Sequence, residues 1–551
     1  MRKHAQIFAA LAALVGCADA PPSATPQSGL PPQRAVNAGR FVSQSQCQTC
    51  HTGTASVLSD RAGRDVSPGH LWRGSMMAMA ARDPYWLARF EREREAHPSA
   101  HGTIDAVCTR CHLPGGSEAA AAMQRPLTFE AVTQSREAHV ELGREGVTCS
   151  VCHQLSPEGQ RSPERFTGGF VLSPEPTLYG PHADPTELHG MAMMPYRTEV
   201  SPHLGQSAAC ASCHTVITRA LDPRGAPEGP EFVEQATYLE WQNSDFNNED
   251  GEGPGRQRCV ACHMPSRDAE GRAIETVLSN RPRTLGPRPI AQHTFAGANA
   301  FMLDLLGAEH AWSGAVASPD ELHAGAGASR ALLASAARVS LANLRHDGAA
   351  LHFEVNIENL TGHRLPSGYP SRRAWLEVSV RDAEGALRFV SGAVDADGRW
   401  VSRTGQSLES EAPRPHLDRL TREDEIVVYE SVMGDAQGRP THALFAATQY
   451  LKDNRLLPRG WRADHPNAAR CAPVGVSDDS FVAGRDRVSV AVQTPGWRPA
   501  RVTVRMLFQA TAPLALDAAR GGPVGEALAA MVRRAPPRPD TLAQAEATLS
   551  Q

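Results

Sequence analysis

Cys149-Ser150-Val151-Cys152-His153 is one of five stretches in this chain with the pattern C-x-x-C-H. The others are Cys47-Gln48-Thr49-Cys50-His51, Cys108-Thr109-Arg110-Cys111-His112, Cys210-Ala211-Ser212-Cys213-His214 and Cys259-Val260-Ala261-Cys262-His263. This is the attachment signal of a c-type haem. Two thiols reach the two vinyl groups of one porphyrin, and the histidine that follows sits under the iron as proximal ligand. A single copy is also compatible with a redox dithiol or half of a zinc site. Zinc sites need closely spaced half-motifs, whereas these copies lie tens of residues apart and each carries its own histidine. The expected cofactors are therefore five covalently bound c-type haems. Their attachment residues are Cys47, Cys50, Cys108, Cys111, Cys149, Cys152, Cys210, Cys213, Cys259 and Cys262, and their proximal ligands His51, His112, His153, His214 and His263.

Ten of the 12 cysteines are thereby used, leaving Cys17 and Cys471. Cys17 closes an export signal. Arg2 and Lys3 precede an apolar run from Ile7 to Val15 that is too short for a lasting membrane span, and Leu14-Val15-Gly16-Cys17 resembles a bacterial lipobox. Residues 1–16 are read as a lipoprotein signal peptide, with Cys17 as the lipidated residue and 17–35, rich in proline, as a tether. The expected location is the periplasm or outer membrane, with lipid as the membrane attachment. Export agrees with the haems, because c-type attachment takes place outside the bacterial cytoplasm. A net charge of -5 gives no reason to expect nucleic acid as a partner; other redox proteins of the envelope are expected instead.

Residues 36–326 read as an irregular, mainly α pentahaem cytochrome domain. Short helices are expected from Ser67-Pro68 onward, after Asp83-Pro84, from Leu127 to Leu142, from Phe232 to Gln242 and from Ala298 to Leu306. Around residue 327 the pattern changes to alternation. Leu351 to Ile357, Trp375 to Val380, Leu387 to Val390, Ile426 to Glu430, Val488 to Val492 and Val502 to Phe508 read as strands, with a turn at Asp382-Ala383-Glu384-Gly385. The expected fold class is multidomain, with a C-terminal antiparallel β-sandwich (Ig-like) over 327–515 and a peripheral tail over 516–551.

The other face of each iron needs a ligand unless it is open for chemistry. Of the 22 histidines, nine beyond the proximal five lie between residues 36 and 310. The favoured distal set is His70, His139, His189, His203 and His293, with His182 a close competitor. His97 and His101 read as loop residues, and His363, between two strands, as structural. The methionines at 76, 77, 79, 191, 193 and 194 read as packing residues.

The chain resembles the multihaem cytochromes related to the tetrahaem electron acceptor of hydroxylamine oxidoreductase. The resemblance covers residues 40–310 at most. It rests on the five motifs, on Ser75-Met76-Met77 followed by Arg82-Asp83-Pro84, and on Cys259-Val260-Ala261-Cys262-His263-Met264-Pro265. The strand region resembles the domain attached to some of these cytochromes, through Asn359-Leu360-Thr361-Gly362-His363 and Leu451-Lys452-Asp453-Asn454-Arg455. What the resemblance implies is a packed chain of mostly bis-histidine haems that moves electrons. It departs by carrying five motifs rather than four. Pentahaem nitrite reductases typically use lysine as the catalytic proximal ligand, whereas here every motif ends in histidine and only Lys3 and Lys452 exist. Electron transfer by a pentahaem lipoprotein of the bacterial envelope is thus expected, more a carrier than an enzyme, with no catalytic residue assigned. The alternative is an oxidoreductase acting on a small nitrogen or sulfur species at one open haem.

Overall fold

A computed structural model describes residues 29–182, 196–249, 251, 253, 255–280 and 286–549. Cys17, the apolar run before it and His189 lie outside the described residues. The first half of the chain is built from short helices, several of them ending where a motif or a proline intervenes. Ser67 precedes the helix Pro68–Arg73. Asp83 caps Pro84–Ala96, its carboxylate accepting from the backbone N–H groups of Tyr85 and Trp86. The single helix expected over 127–142 is two, Phe129–Gln134 and Ala138–Gly143. The break has a visible cause. The buried Arg144 guanidinium donates to the carbonyls of Val132 (2.6 Å), Ala131 (3.1 Å) and Ser135 (2.5 Å), taking the acceptors at the end of the first piece.

Six short strands pair locally in this half: β1 (Thr177–Gly180) with β2 (Arg197–Val200), β3 (Val216–Leu221) with β4 (Pro227–Gln235), and β5 (Glu275–Thr276) with β6 (Arg288–Pro289). β4 occupies the first part of the stretch expected as helix, which begins only at Thr237. Pairing of Phe232 with Thr218 outweighs the helical pattern there.

The second half holds β7 (Ala337–His346), β8 (Ala350–Asn359), β9 (Arg373–Asp382), β10 (Leu387–Ser391), β11 (Arg419–Leu420), β12 (Val428–Gly434), β13 (Gln449–Asp453), β14 (Arg485–Gln493), β15 (Pro499–Gln509) and β16 (Asp540–Thr548). One sheet runs β13-β12-β9-β15-β16, with β10 also on β9; the other runs β11-β14-β8-β7. One apolar core joins Leu351, Phe353, Val355 and Val490 of one sheet with Leu376, Val378, Val504 and Met506 of the other. The pairing is antiparallel except for β11 on β14, which is parallel. The turn at 382–385 joins β9 to β10, with Gly385 at φ +83°.

Three expected boundaries move. Residues 29–35 are not tether: Leu30 is buried, its N–H bonds the Trp312 carbonyl at 2.8 Å, and Arg34 pairs with Glu141. The boundary at 326/327 falls inside the helix Pro319–Leu333. The stretch 516–551 is not peripheral: its helix Gly522–Arg534 packs on Pro84–Ala96, with the Glu91 carboxylate accepting from Val524 N–H, and β16 completes a sheet on β15.

Gly325 shows why the Pro319–Leu333 helix belongs to the first half. A Cβ there would lie 1.8 Å from the Gly74 carbonyl oxygen, at the end of Pro68–Arg73. Gly325→Ala is expected to cost about 1–3 kcal/mol through overpacking, read as a lowered midpoint in a thermal melt. An unchanged midpoint would mean that the two helices separate freely. No helix among the described residues is long and apolar enough to cross a membrane.

Candidate haem-attachment sites

Each motif lies on a short helical turn: Gln44–Gln48 and the turn after it, the end of His101–His112, Cys149–Cys152, Ala208–His214 and Cys259–His263. The turn is closed from the histidine N–H to the first cysteine carbonyl, at 3.0 Å for His51 to Cys47 and 2.9 Å for His153 to Cys149. Residues four apart on a helical turn share a face, so the first thiol and the ring emerge together.

Four of the five histidines have Nδ1 against a backbone carbonyl: His51 on Leu278 (2.8 Å), His112 on Ala80 (2.7 Å), His153 on Tyr179 (2.7 Å) and His263 on Ala296 (2.6 Å). This fixes the tautomer and leaves Nε2 as the metal-binding atom, the usual way a protein orients a ligating imidazole. Burial pushes His112 down to about 4 and lowers His153, so both rings are neutral at neutral pH, the form a metal accepts. The His112 ring is further held by Trp86, stacked on it at 4.2 Å and 6°. Two thiols and one imidazole on a single turn fit a c-type haem at each motif.

Thiols of different motifs lie close enough to interact: Cys47 with Cys149, Cys111 with Cys213, and Cys210 with Cys259. Cys152 is close enough to Cys213 and Cys210 for their charges to interact. The motif beginning at Cys210 is thus the junction between those beginning at Cys108, Cys149 and Cys259, and the first motif joins through Cys149.

Of the expected distal histidines, His293 is placed best. Its ring lies 6.5 Å from that of His153 at 17°, and its Nδ1 is 3.0 Å from the Ala291 carbonyl. His70 has Nδ1 3.1 Å from Glu321 Oε1, on a helix that packs against the one bearing Cys47. His139 is buried, with Nδ1 3.8 Å from a Glu137 carboxylate oxygen, and no motif histidine faces it. His203 has both nitrogens hydrogen-bonded, Nδ1 with Ser201 Oγ at 2.7 Å and Nε2 with the Leu155 carbonyl at 2.8 Å. His97 is not a solvated loop residue. Its Nε2 is buried without a hydrogen-bond partner, and its ring meets Phe445 edge-on, in a cluster that includes Cys108. His363, expected to be structural, has its ring 6.5 Å from His263 at 19°. Among the described residues, no second imidazole faces His51, His112 or His214 at that spacing. Cys471 is a buried thiol whose Sγ–H donates to the Asn467 carbonyl (3.2 Å); burial pushes it up to about 11.

A further group of ligand-type side chains, His416, Asp478 and Asp486, lies among the strands. It reads as an internal network: Tyr429 O–H donates to Asp486, Asn454 Nδ2 to His416 and Ser480 O–H to Asp478.

No family model matches the chain, and no curated protein matches it. Among solved structures, it is similar to a penta-heme cytochrome c552 from Thermochromatium tepidum, at 18% identity and a TM-score of 0.50, over 93% of this chain and 99% of that one. The likeness is one of fold, and it spans the strand region as well as the helical half.

Proposed function

We propose that this chain is a five-haem c-type cytochrome that transfers electrons, exported and lipid-anchored through Cys17, with envelope redox proteins as partners. The observation that carries the reading is the set of five helical C-x-x-C-H turns, gathered so that thiols of different motifs lie near one another. When bound, the haem irons supply one-electron chemistry, and the protein sets their spacing, potential and exposure. His153 and His293 would be the axial pair of the third haem, and His70 a distal ligand oriented by Glu321. The kinship to the acceptor of hydroxylamine oxidoreductase and the description of the strand region as an Ig-like sandwich belong to this proposal and rest on the residues quoted above.

The test is the pyridine haemochrome of the purified holoprotein against its protein concentration, with intact mass. Five haems per chain are expected, with acyl chains on Cys17 as the only other added mass. Fewer than five would overturn the assignment of the motif that stays unmodified.

One observation favours a second reading, an oxidoreductase at an open haem for a small nitrogen or sulfur species. Arg372 is half-buried and close enough to His214 for its charge to lower that imidazole, itself pushed down to about 4 chiefly by burial. Its Nη1 donates to the Ser367 carbonyl at 2.6 Å, and no carboxylate among the described residues pairs with it. An unpaired guanidinium beside an iron would suit an anion such as nitrite. Under this reading, nitrite or cyanide shifts the Soret band of one haem in five, and Arg372→Gln weakens that shift at least about tenfold, the loss of one charge-assisted bond. No shift with nitrite, hydroxylamine, cyanide or CO would leave electron transfer alone.

A further inference from the structure

The strand-rich half contributes a residue to the haem array. We infer that His363 is the second axial ligand of the haem held by Cys259, Cys262 and His263. The inference rests on the five-haem reading and names a ligand that lies outside the helical half altogether.

The geometry is specific. The His363 and His263 rings are 6.5 Å apart, centroid to centroid, and inclined by 19°. Rings in direct contact stack much closer, as Trp86 and His112 do at 4.2 Å. Two imidazole nitrogens each about 2 Å from one metal ion place their ring centres roughly 6 Å apart. The separation is therefore too wide for packing and matched to one ion between the rings. The same spacing recurs at His153 and His293, 6.5 Å and 17°, in a different part of the fold. In both rings of the 263/363 pair, Nδ1 is occupied by a carbonyl: Ala296 at 2.6 Å for His263 and Arg364 at 2.8 Å for His363. Nε2 is the remaining nitrogen on each.

The loop that carries His363 is held before any metal arrives. Asn359 Nδ2 and Thr361 O–H both donate to the His363 carbonyl at 2.8 Å. On one side, Gly362 approaches the helical half so closely that a Cβ would lie 3.1 Å from Phe246 and Trp241 atoms. On the other, Arg364 is fully buried, its N–H 3.2 Å from Glu240 Oε2 and its guanidinium 2.5 Å from Asp453. Contacts on both flanks limit where the ring can point, which is what a ligand position requires.

The test uses full-length holoprotein carrying His363→Gly. Haem is counted by pyridine haemochrome, and spin states by electron paramagnetic resonance of the oxidised protein. The expected result is five haems per chain, one of them converted from low to high spin, and a return to the wild-type spectrum when imidazole is added. Five haems with an unchanged spin distribution, or a converted haem that imidazole does not restore, would overturn the assignment. Loss of haem from the wild-type protein would instead overturn the five-haem reading, so the two failures are distinct. If the glycine variant does not accumulate, His363→Met answers the same question. It is expected to remain low-spin while one haem rises in potential, because methionine sulfur raises the potential of a c-type haem relative to histidine. Five unshifted potentials would overturn the inference.

Discussion

Arg364→Met is expected to destabilise the protein by about 3–5 kcal/mol, the cost of removing one partner from a buried ion pair. Arg364 is 0% exposed. Its guanidinium reaches Asp453 Oδ2 at 2.5 Å and the Asp453 and Arg455 carbonyls at 3.3 Å. Arg455 in turn donates to both Asp453 carboxylate oxygens at 2.8 Å and lies 3.0 Å from Glu240 Oε1. Two arginines thus balance two carboxylates out of reach of water, and Glu240 comes from the helix Thr237–Gln242 while the other three come from the strand half. Methionine approximates the arginine stem but leaves a net negative charge inside. Burial pushes the Asp453 carboxyl up, and the Arg364 and Arg455 charges overcome that and hold it below the ordinary range. A depressed folded-state value means stabilisation that is present above the carboxylate range and lost as pH falls through it. The difference between wild type and Arg364→Met, measured by urea unfolding, is therefore expected to be full at pH 7 and to shrink in acid. A second substitution, Asp453→Leu, is expected to recover part of the loss, since an apolar replacement of the whole pair is often tolerated. Equal stability of wild type and Arg364→Met at pH 7 would show that the network is dispensable.

The same network explains what could and could not be read from the residues. The five attachment turns are legible because the chemistry compresses each into five consecutive positions. His363 reads as structural from its local sequence because His263, whose ring it faces at 6.5 Å, lies 100 positions earlier, and the loop that brings it there is set by Glu240, Arg364 and Asp453, whose pairing leaves no local pattern. Strands with clean alternation, such as Leu351 to Ile357, were readable. Asp540–Thr548 was not, because its residues alternate alanine with polar groups and only Leu542 is fully buried in the core; it is a strand by virtue of β15 beside it. The misplaced boundary at 326 has a related cause. The change of pattern suggests a boundary there, yet the helix runs on to Leu333, and Gly325 is small so that another helix can lie against it. Position, rather than composition, decides these cases.

Replacing both Cys210 and Cys213 by alanine is expected to do more than remove one haem in five. Cys213 lies near Cys111 and Cys210 near Cys259, and Cys152 is close enough to Cys213 and Cys210 to interact. The motifs beginning at Cys108 and Cys259 each approach this one through a thiol. The variant should therefore carry four haems in three groups: the first and third, still joined through Cys47 and Cys149, and the second and fifth, each isolated. Electron tunnelling falls off exponentially with the gap between cofactors, so losing the junction should slow equilibration among the groups by orders of magnitude while leaving each haem's own spectrum in place. The matching control is Cys47→Ala with Cys50→Ala, which also leaves four haems but trims an end of the array. Rapid-mixing reduction by an external donor separates the two. The control is expected to reduce in the wild-type manner with four-fifths of the amplitude, and the junction variant to split into fast and slow phases. A junction variant that reduces as one population would mean that electrons enter each haem directly from solution, and the array would not be a wire. A control that also splits would place the entry point at the first haem, which makes the choice of end as informative as the loss of the centre.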